Sequence, residues 1–418
     1  MAVDIRNLPA PPPSPPIEGV DFRADPYPFY RRLLDEAPVS EQTDYGYVMV
    51  ARHADIVRLL RDRRLSSDDR NTDEHEDLVA TGVLGAEYQA LLDQRSFLRR
   101  DAPDHTRLRA LVSGVFTRRA VERLRPAVQR MVDEAIDRAA GRGRMDLVEE
   151  LAYPLPVTII SQLLGVPAED HLRLRSWSRA QLCCSFEASG TLPGDQQQRN
   201  CMVQGDLTSY FDDLIARRVH EPGDDLLSAL IAVRDEGDRL TLEEVNATAR
   251  LLLVGGHETT VGLIANGTLA LLRHPDQLAL LRQRPALVAS AVDEVLRYDP
   301  PFQFVTRMAL EDVEVGGYRI ARGRVIVLWL AAGNRDGDHF AEPDRFDVTR
   351  SERQHLAFGA GAHFCLGAPL ARLQSEIALG TLARRLSEPE LEKDPPDYTD
   401  AVHAIAELPI RFQGVQSA

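Results

Sequence analysis

Lysine is almost absent from this 418-residue chain: Lys393 is the only one among 49 basic residues, and arginine supplies the rest. Against 64 acidic residues this leaves a formal net charge of −15, which argues against nucleic acid as the main partner. Cysteine is scarce too. Cys183, Cys184, Cys201 and Cys365 are all there are, too few to staple a chain of this length, and no Cys-x-x-Cys pair offers a zinc or iron–sulfur site. The adjacent Cys183 and Cys184 read as free thiols on a helix. No run approaches the roughly 20 apolar residues that cross a bilayer, and no basic segment followed by an apolar one opens the chain. A soluble, cytoplasmic protein without a membrane partner is expected. Flexible linkers are missing as well, so a single domain is expected over residues 20–418. The stretch before it (1–19) reads as a flexible tail, because Leu8–Pro16 is too rich in proline to pack.

What is present is 44% hydrophobic, enough for a large core. The most informative stretch is Phe358-Gly359-Ala360-Gly361-Ala362-His363-Phe364-Cys365-Leu366-Gly367. Gly359, Gly361 and Gly367 surround Cys365, and each permits a backbone angle or close approach that a side chain would block. Ala368-Pro369-Leu370-Ala371-Arg372 follows as a helix opening, with proline in its first turn. The sulfur therefore sits where a helix N-terminus and free N–H groups favour its anion. A single thiolate is a recognised axial ligand of haem iron. Taken as a lone cysteine, the loop equally fits a buried structural residue in a Gly-rich turn.

A second anomaly lies in a helix opened by Thr241, with Glu244 completing a capping box. Its pattern runs to about Leu272, about 48 Å at 1.5 Å per residue. Leu251 to Val254 are apolar all round, which indicates burial. Gly255-Gly256-His257-Glu258-Thr259-Thr260 then breaks the local rules. Two interior glycines cost about 1 kcal/mol each relative to alanine, and a buried carboxylate costs more unless it is paired or protonated. Such conflicts gather at functional sites. The Thr259 hydroxyl can bond back to the Gly255 carbonyl and open a groove, while Gly255 and Gly256 leave room for a flat cofactor. As plain structure, Glu258 would be a salt-bridge partner and Thr259 a core hydroxyl. A zinc-protease reading of His257-Glu258 fails, because Val261 stands where the second histidine belongs.

Phe358, Gly361, Cys365 and Gly367, in the pattern Phe-x-x-Gly-x-x-x-Cys-x-Gly, resemble the haem-binding loop of cytochromes P450. Gly-Gly-x-Glu-Thr-Thr resembles their oxygen-activating segment, and the resemblance spans roughly residues 20 to 412. It implies a mainly α fold with small β-sheets: a triangular α-rich prism with haem b (iron protoporphyrin IX) between the long central helix and the cysteine-loop helix. It also implies Cys365 as the metal ligand, with Phe358, Gly359, Gly367, Gly255 and Gly256 around the cofactor. Glu258 and Thr259 would be the catalytic pair that delivers protons.

Other segments fit the same frame. Pro103 and its acidic neighbours signal a helix start, after which His105 and Arg109 project from one face. Alone this reads as a solvated basic helix; the resemblance implies that both hold haem propionates, with Arg307 and His363. Glu294 and Arg297 have ion-pair spacing, a common surface arrangement. In the family that pair is a buried lock joined by a further arginine, expected here at Arg345, after Asn334-Arg335-Asp336. Leu251, Gly255, Phe302, Phe304, Val305 and Val402 are the expected substrate pocket, and the weakly periodic Ser66–Arg95 reads as a mobile lid. Helices are expected at Arg118–Gly141, Leu155–Leu164, Ala168–Phe186 and Met202–Arg218, with a break at Ser189–Arg199. Strands are expected near Tyr45–Val50, Val313–Ile320 and Val325–Leu330.

The implied activity is that of a haem-thiolate monooxygenase. It would insert one atom of O2 into a small apolar molecule, by hydroxylation or epoxidation, in secondary-metabolite (polyketide, macrolide or aromatic) biosynthesis. No flavin or iron–sulfur module is fused, so electrons would come from a ferredoxin and an NAD(P)H-dependent ferredoxin reductase, docked with help from Arg107 and Arg372. A monomer is expected. Two rivals stand beside this: a peroxygenase, which would not need the Glu258–Thr259 pair, and a catalytically silent P450-like protein that activates a partner and could do without Cys365.

Overall fold

The computed structural model describes residues 7–15, 24–42, 46–71, 96–171, 173–174, 176–177, 194–233, 239–398, 403 and 405–417. Its axis is the helix Leu242–Arg273. The Thr241 hydroxyl accepts from the Glu244 N–H at 3.2 Å, and Glu244 Oε2 accepts from the Thr241 N–H at 2.8 Å, so the capping box forms in full. Most of this helix is buried. Around it pack Pro154–Leu163, Gly194–His220 and the cysteine helix Ala368–Arg385.

Proline and glutamine account for two differences from the sequence expectation. The single helix expected over Arg118–Gly141 is two, Arg118–Glu122 and Arg125–Ala140. Pro126 cannot continue a helix but suits the first turn of a new one. The break expected at Ser189–Arg199 ends by Gly194, where the helix to His220 begins, since Gln196, Gln197, Gln198 and Arg199 are good helix formers. Cys201 lies within that helix, while Cys183 and Cys184 fall outside the described residues.

The main sheet orders its strands Val39–Gln42, Tyr47–Val50, Val325–Leu328, Val305–Ala309 and Leu65–Ser66. Tyr47–Val50 runs parallel to Val325–Leu328, and the other pairs are antiparallel. The expected strand Val313–Ile320 is a hairpin, Val313–Val315 with Tyr318–Ile320, turned at Gly316 and Gly317 with φ of 58° and 81°. The strand expected to reach Leu330 stops at Leu328, and Leu330 opens a short helix. The Pro-rich segment hydrogen-bonds to two other parts of the chain. Glu41 donates to the Pro12 carbonyl at 2.7 Å, Ser14 donates to the Glu41 carbonyl at 2.9 Å, and Arg319 donates to that of Pro9 at 3.1 Å. The first two contacts lie on the main sheet's edge strand Val39–Gln42, and the third on the hairpin.

Beneath the cysteine loop, Arg297 is 1% exposed. It donates to Glu294 at 2.7 and 2.9 Å and to the carbonyls of Asn334, Pro343 and Arg345. The second guanidinium on Glu294 is that of Arg350, at 3.1 and 3.3 Å, and not that of Arg345. The Arg345 side chain is 58% exposed and reaches Glu342; only its carbonyl joins the lock. The turn Asp347–Arg350 folds Arg350 back under Glu294, to which the Asp347 N–H also donates at 2.9 Å.

Candidate active site

Cys365 is held from both sides. Its N–H donates to the Phe358 carbonyl at 2.9 Å, and the N–H groups of Gly367 and Ala368, at the start of the cysteine helix, point at its sulfur. Gly361 has a φ of 71°, and a Cβ there would stand 2.4 Å from the Leu60 carbonyl oxygen, so no other residue fits. Gly367 differs from expectation. Its φ is −78° and a Cβ would meet Sγ at 3.9 Å, an ordinary contact. Burial pushes the Cys365 thiol up, and the two N–H groups with Arg109 and Arg372 do not fully offset it. A stable anion at this sulfur therefore calls for a cation placed directly on it.

The sulfur opens onto a largely apolar cavity of about 310 Å³ between this loop and the middle of the long helix. There the Thr259 hydroxyl donates to the Gly255 carbonyl at 3.2 Å and that of Thr260 to Gly256 at 3.4 Å. Open space lies where a Gly255 Cβ would be, whereas one on Gly256 would press Ile160 at 3.2 Å. Leu251, Gly255, Phe302 and Val305 stand on the cavity wall. Phe304 does not: it turns away to pack on Trp329, with ring centroids 5.0 Å apart. Val402 falls outside the described residues, as does the expected lid from residue 72 to 95. Leu60, Phe97, Leu98, Phe116 and Ile160 also line the cavity. Nothing in their local sequence marks them, because distant segments bring them together.

Four basic groups gather at one end. The His105 and His363 rings lie 4.0 Å apart. Arg109 donates to the Phe364 carbonyl, and Arg307 to that of Thr306 at 2.7 Å. Burial lowers His105, Arg109 and His363 alike, and repulsion from Arg109 and Arg307 adds to it for both histidines, with His363 brought down to about 3. Asp101, the carboxylate that opposes this at His105, is itself held by Ser66 and Ser67. The buried Nε2 of His105 has no hydrogen-bond partner. A cluster of this kind can hold a dianionic edge.

Glu258 lies off the cavity. Its Oε1 accepts from the Tyr153 hydroxyl at 3.0 Å and faces His257 Nε2 at 3.2 Å. Sequence reasoning passed over both partners. Arg107 is ion-paired with Glu244, and Arg372 donates to Asp293 at 3.1 Å while lying over the Phe358 ring. Each keeps a third of its side chain exposed, 33% in both cases.

The cytochrome P450 family model matches residues 73–412. The chain belongs to the cytochrome P450 family. The P450 monooxygenase PikC of Streptomyces venezuelae is 42% identical over 406 residues, covering 94% of this chain and 93% of its own. The 6-deoxyerythronolide B hydroxylase of Saccharopolyspora erythraea is 38% identical over 412 residues, covering 96% and 99%. Among solved structures, CalO2 superposes with a TM-score of 0.86 at 36% identity, over 96% of this chain and 99% of that one. The mainly α P450 fold holds, and the protein is a P450 monooxygenase with a haem-thiolate cofactor that draws on O2 and redox partners. Among the described residues, no helix of this P450 is long and apolar enough to cross a membrane.

Proposed function

We propose that this P450 binds haem b through the Cys365 sulfur and hydroxylates or epoxidises an apolar polyketide or macrolide-type natural product. The observation that carries the reading is the meeting of Cys365 with Gly255 and Thr259 across one apolar cavity. The residues present fit the group. The buried His105 Nε2 has no hydrogen-bond partner, and beside it His363, Arg109 and Arg307 crowd together; two propionates would suit both. The open space at Gly255 suits a flat ring. When bound, thiolate-ligated haem supplies O2 activation, the sulfur's electron donation favouring O–O cleavage.

The chain's own residues do the rest. His105, Arg109, Arg307 and His363 neutralise the propionates, which would otherwise be uncompensated buried charges. The Thr259 hydroxyl has given its hydrogen to Gly255, so its oxygen keeps acceptor capacity toward the cavity and holds a water there. Glu258, one residue earlier but off the cavity, resupplies protons through water. General-acid help of this kind is worth roughly 10²- to 10⁴-fold in rate. Leu251, Phe302 and Val305 present an apolar wall that excludes water and orients the substrate.

Two relatives, a 6-deoxyerythronolide B hydroxylase and a polyketide biosynthesis P450 from Bacillus subtilis, support the substrate class. Electrons come from a ferredoxin and its NAD(P)H-dependent reductase. The partly exposed Arg107 and Arg372, with exposed Phe364 of the cysteine loop, carry the docking. The protein works as a cytoplasmic monomer, with residues 20–418 as one domain.

The test supplies ferredoxin, reductase, NAD(P)H and isotopically heavy dioxygen, with a panel of macrolactones as substrates. One heavy oxygen in the product and a b-type pyridine haemochrome are expected. Oxygen drawn from water, or peroxide serving as well as the reductant, would overturn the reading in favour of a peroxygenase.

A further inference from the structure

Glu258 is gripped by two side chains that the proposed function leaves idle. Tyr153 and His257 converge on the same oxygen, Oε1. Tyr153 is aimed there by an unusual piece of backbone: Val148–Ala152 is a π-helical turn, closed by the Tyr153 N–H on the Val148 carbonyl at 2.9 Å. Such turns are rare and frequent at functional sites. The Tyr153 ring then meets the His257 ring edge-on, 5.8 Å between centroids.

The hydrogen bonds of His257 fix where its protons are. Nδ1 lies 2.7 Å from the Leu253 carbonyl oxygen, which can only accept, so Nδ1 carries a hydrogen. In a neutral ring Nε2 is then a bare acceptor. It faces Glu258 Oε1, which already accepts from Tyr153, at 3.2 Å. Two lone pairs at that distance repel, so the contact is favourable only with a proton between them, as imidazolium with carboxylate or imidazole with carboxylic acid.

We propose that Tyr153 and His257 are positioning residues that make Glu258 a one-proton store, refilled each time it gives its proton toward the water at Thr259. The balance is simple. One proton leaves the Glu258–His257 pair, Nδ1–H stays on Leu253, and the facing lone pairs then draw one proton back from solvent; no electron moves. Entry is through the carboxylate, whose side chain is 15% exposed while that of His257 is fully buried. Around the pair, the helix Pro154–Leu163 carries no titratable group. The π-turn carries an exposed Glu149, and Glu150, which Arg142 holds. The helix Gly194–His220 presents Asp212, which accepts from Asn246, and the long helix adds Arg250 two turns earlier. The proposal rests on the haem-thiolate relay reading given above.

The test is a pH titration of ¹⁵N-histidine-labelled holoenzyme in its reduced carbon monoxide form, followed by NMR, with His257→Phe assigning the signal. His257 Nδ1 is expected to stay protonated throughout, while Nε2 reports a single proton lost as pH rises. In Glu258→Gln that step should vanish and leave a neutral ring. In Tyr153→Phe, which removes a donor to the ionised oxygen, the step should move up by about one pH unit or more. A bare Nδ1, or an unchanged titration in Glu258→Gln, overturns the proposal. The wild-type tautomer alone decides the first step, so the test survives a variant that fails to fold. Loss of the thiolate-type carbon monoxide spectrum in the wild type would instead strike at the haem reading.

Discussion

Replacing Arg350 and Arg345 in parallel separates two readings of the lock beneath the cysteine loop. Glu294 is 2% exposed and accepts from Arg297, Arg350 and the Asp347 N–H. Arg350 also donates to the carbonyls of Ala341, Glu342 and Arg345. Removing one partner of a buried, hydrogen-bonded ion pair costs about 3 to 5 kcal/mol. Arg350→Ala leaves Glu294 one guanidinium and belongs at the lower end of that range. Glu294→Ala strands two buried cations and belongs at the upper end. Arg345→Ala removes an exposed pair and should fall within about 0.5 kcal/mol of wild type. At about 2.1 cal/mol/K per residue the chain unfolds with roughly 0.9 kcal/mol/K. The two costly variants should therefore lose about 3 to 6 °C in Tm. Scanning calorimetry of the holoprotein reads the shift. An Arg345→Ala loss equal to that of Arg350→Ala would refute the assignment.

Gly361→Ala should cost at least about 1 to 3 kcal/mol and lower haem content on purification, because it needs a positive φ and meets the Leu60 carbonyl; Gly367→Ala, with neither problem, should bind haem normally. Thr259→Ala should divert reducing equivalents from product to peroxide, by tenfold or more in their ratio if the hydroxyl delivers protons; a ratio equal to wild type contradicts that role. Burial alone would raise Asp299, yet His403 at 2.9 Å, Tyr27 at 2.5 Å and Arg335 together hold its carboxyl below the ordinary 3.8. A carboxyl depressed in the folded state stabilises above its unfolded value and loses that contribution as pH falls through the folded one. The Tm advantage of wild type over Asp299→Asn should therefore be full at neutral pH and shrink below about pH 4. An advantage that grows on acidification would contradict the sign.

Much of the site was legible because its chemistry lies in contiguous runs. The 358–367 loop, the capping box at Thr241 and the hydroxyl groove at Thr259 are each local events, governed by φ, by caps and by i to i−4 spacing. What sequence reasoning missed is set by packing between distant segments. Arg350 replaces Arg345 because a turn, not spacing, decides which guanidinium reaches Glu294. Phe304 leaves the pocket because residues 302–304 are not yet strand, so alternation does not apply until Val305. Tyr153 meets Glu258 across 105 positions through a π-turn that no propensity predicts. The Pro-rich start hydrogen-bonds to the edge strand Val39–Gln42, a partner that no local pattern names.

The account turns on the Cys365 sulfur, and the reduced carbon monoxide difference spectrum tests it most directly. Wild-type protein loaded with haem should give the long-wavelength band characteristic of a thiolate ligand, and Cys365→His should bind haem yet shift that band to the position of a nitrogen-ligated protein. A Cys365→His protein that keeps the thiolate band, or a wild type that never shows it, would contradict the claim.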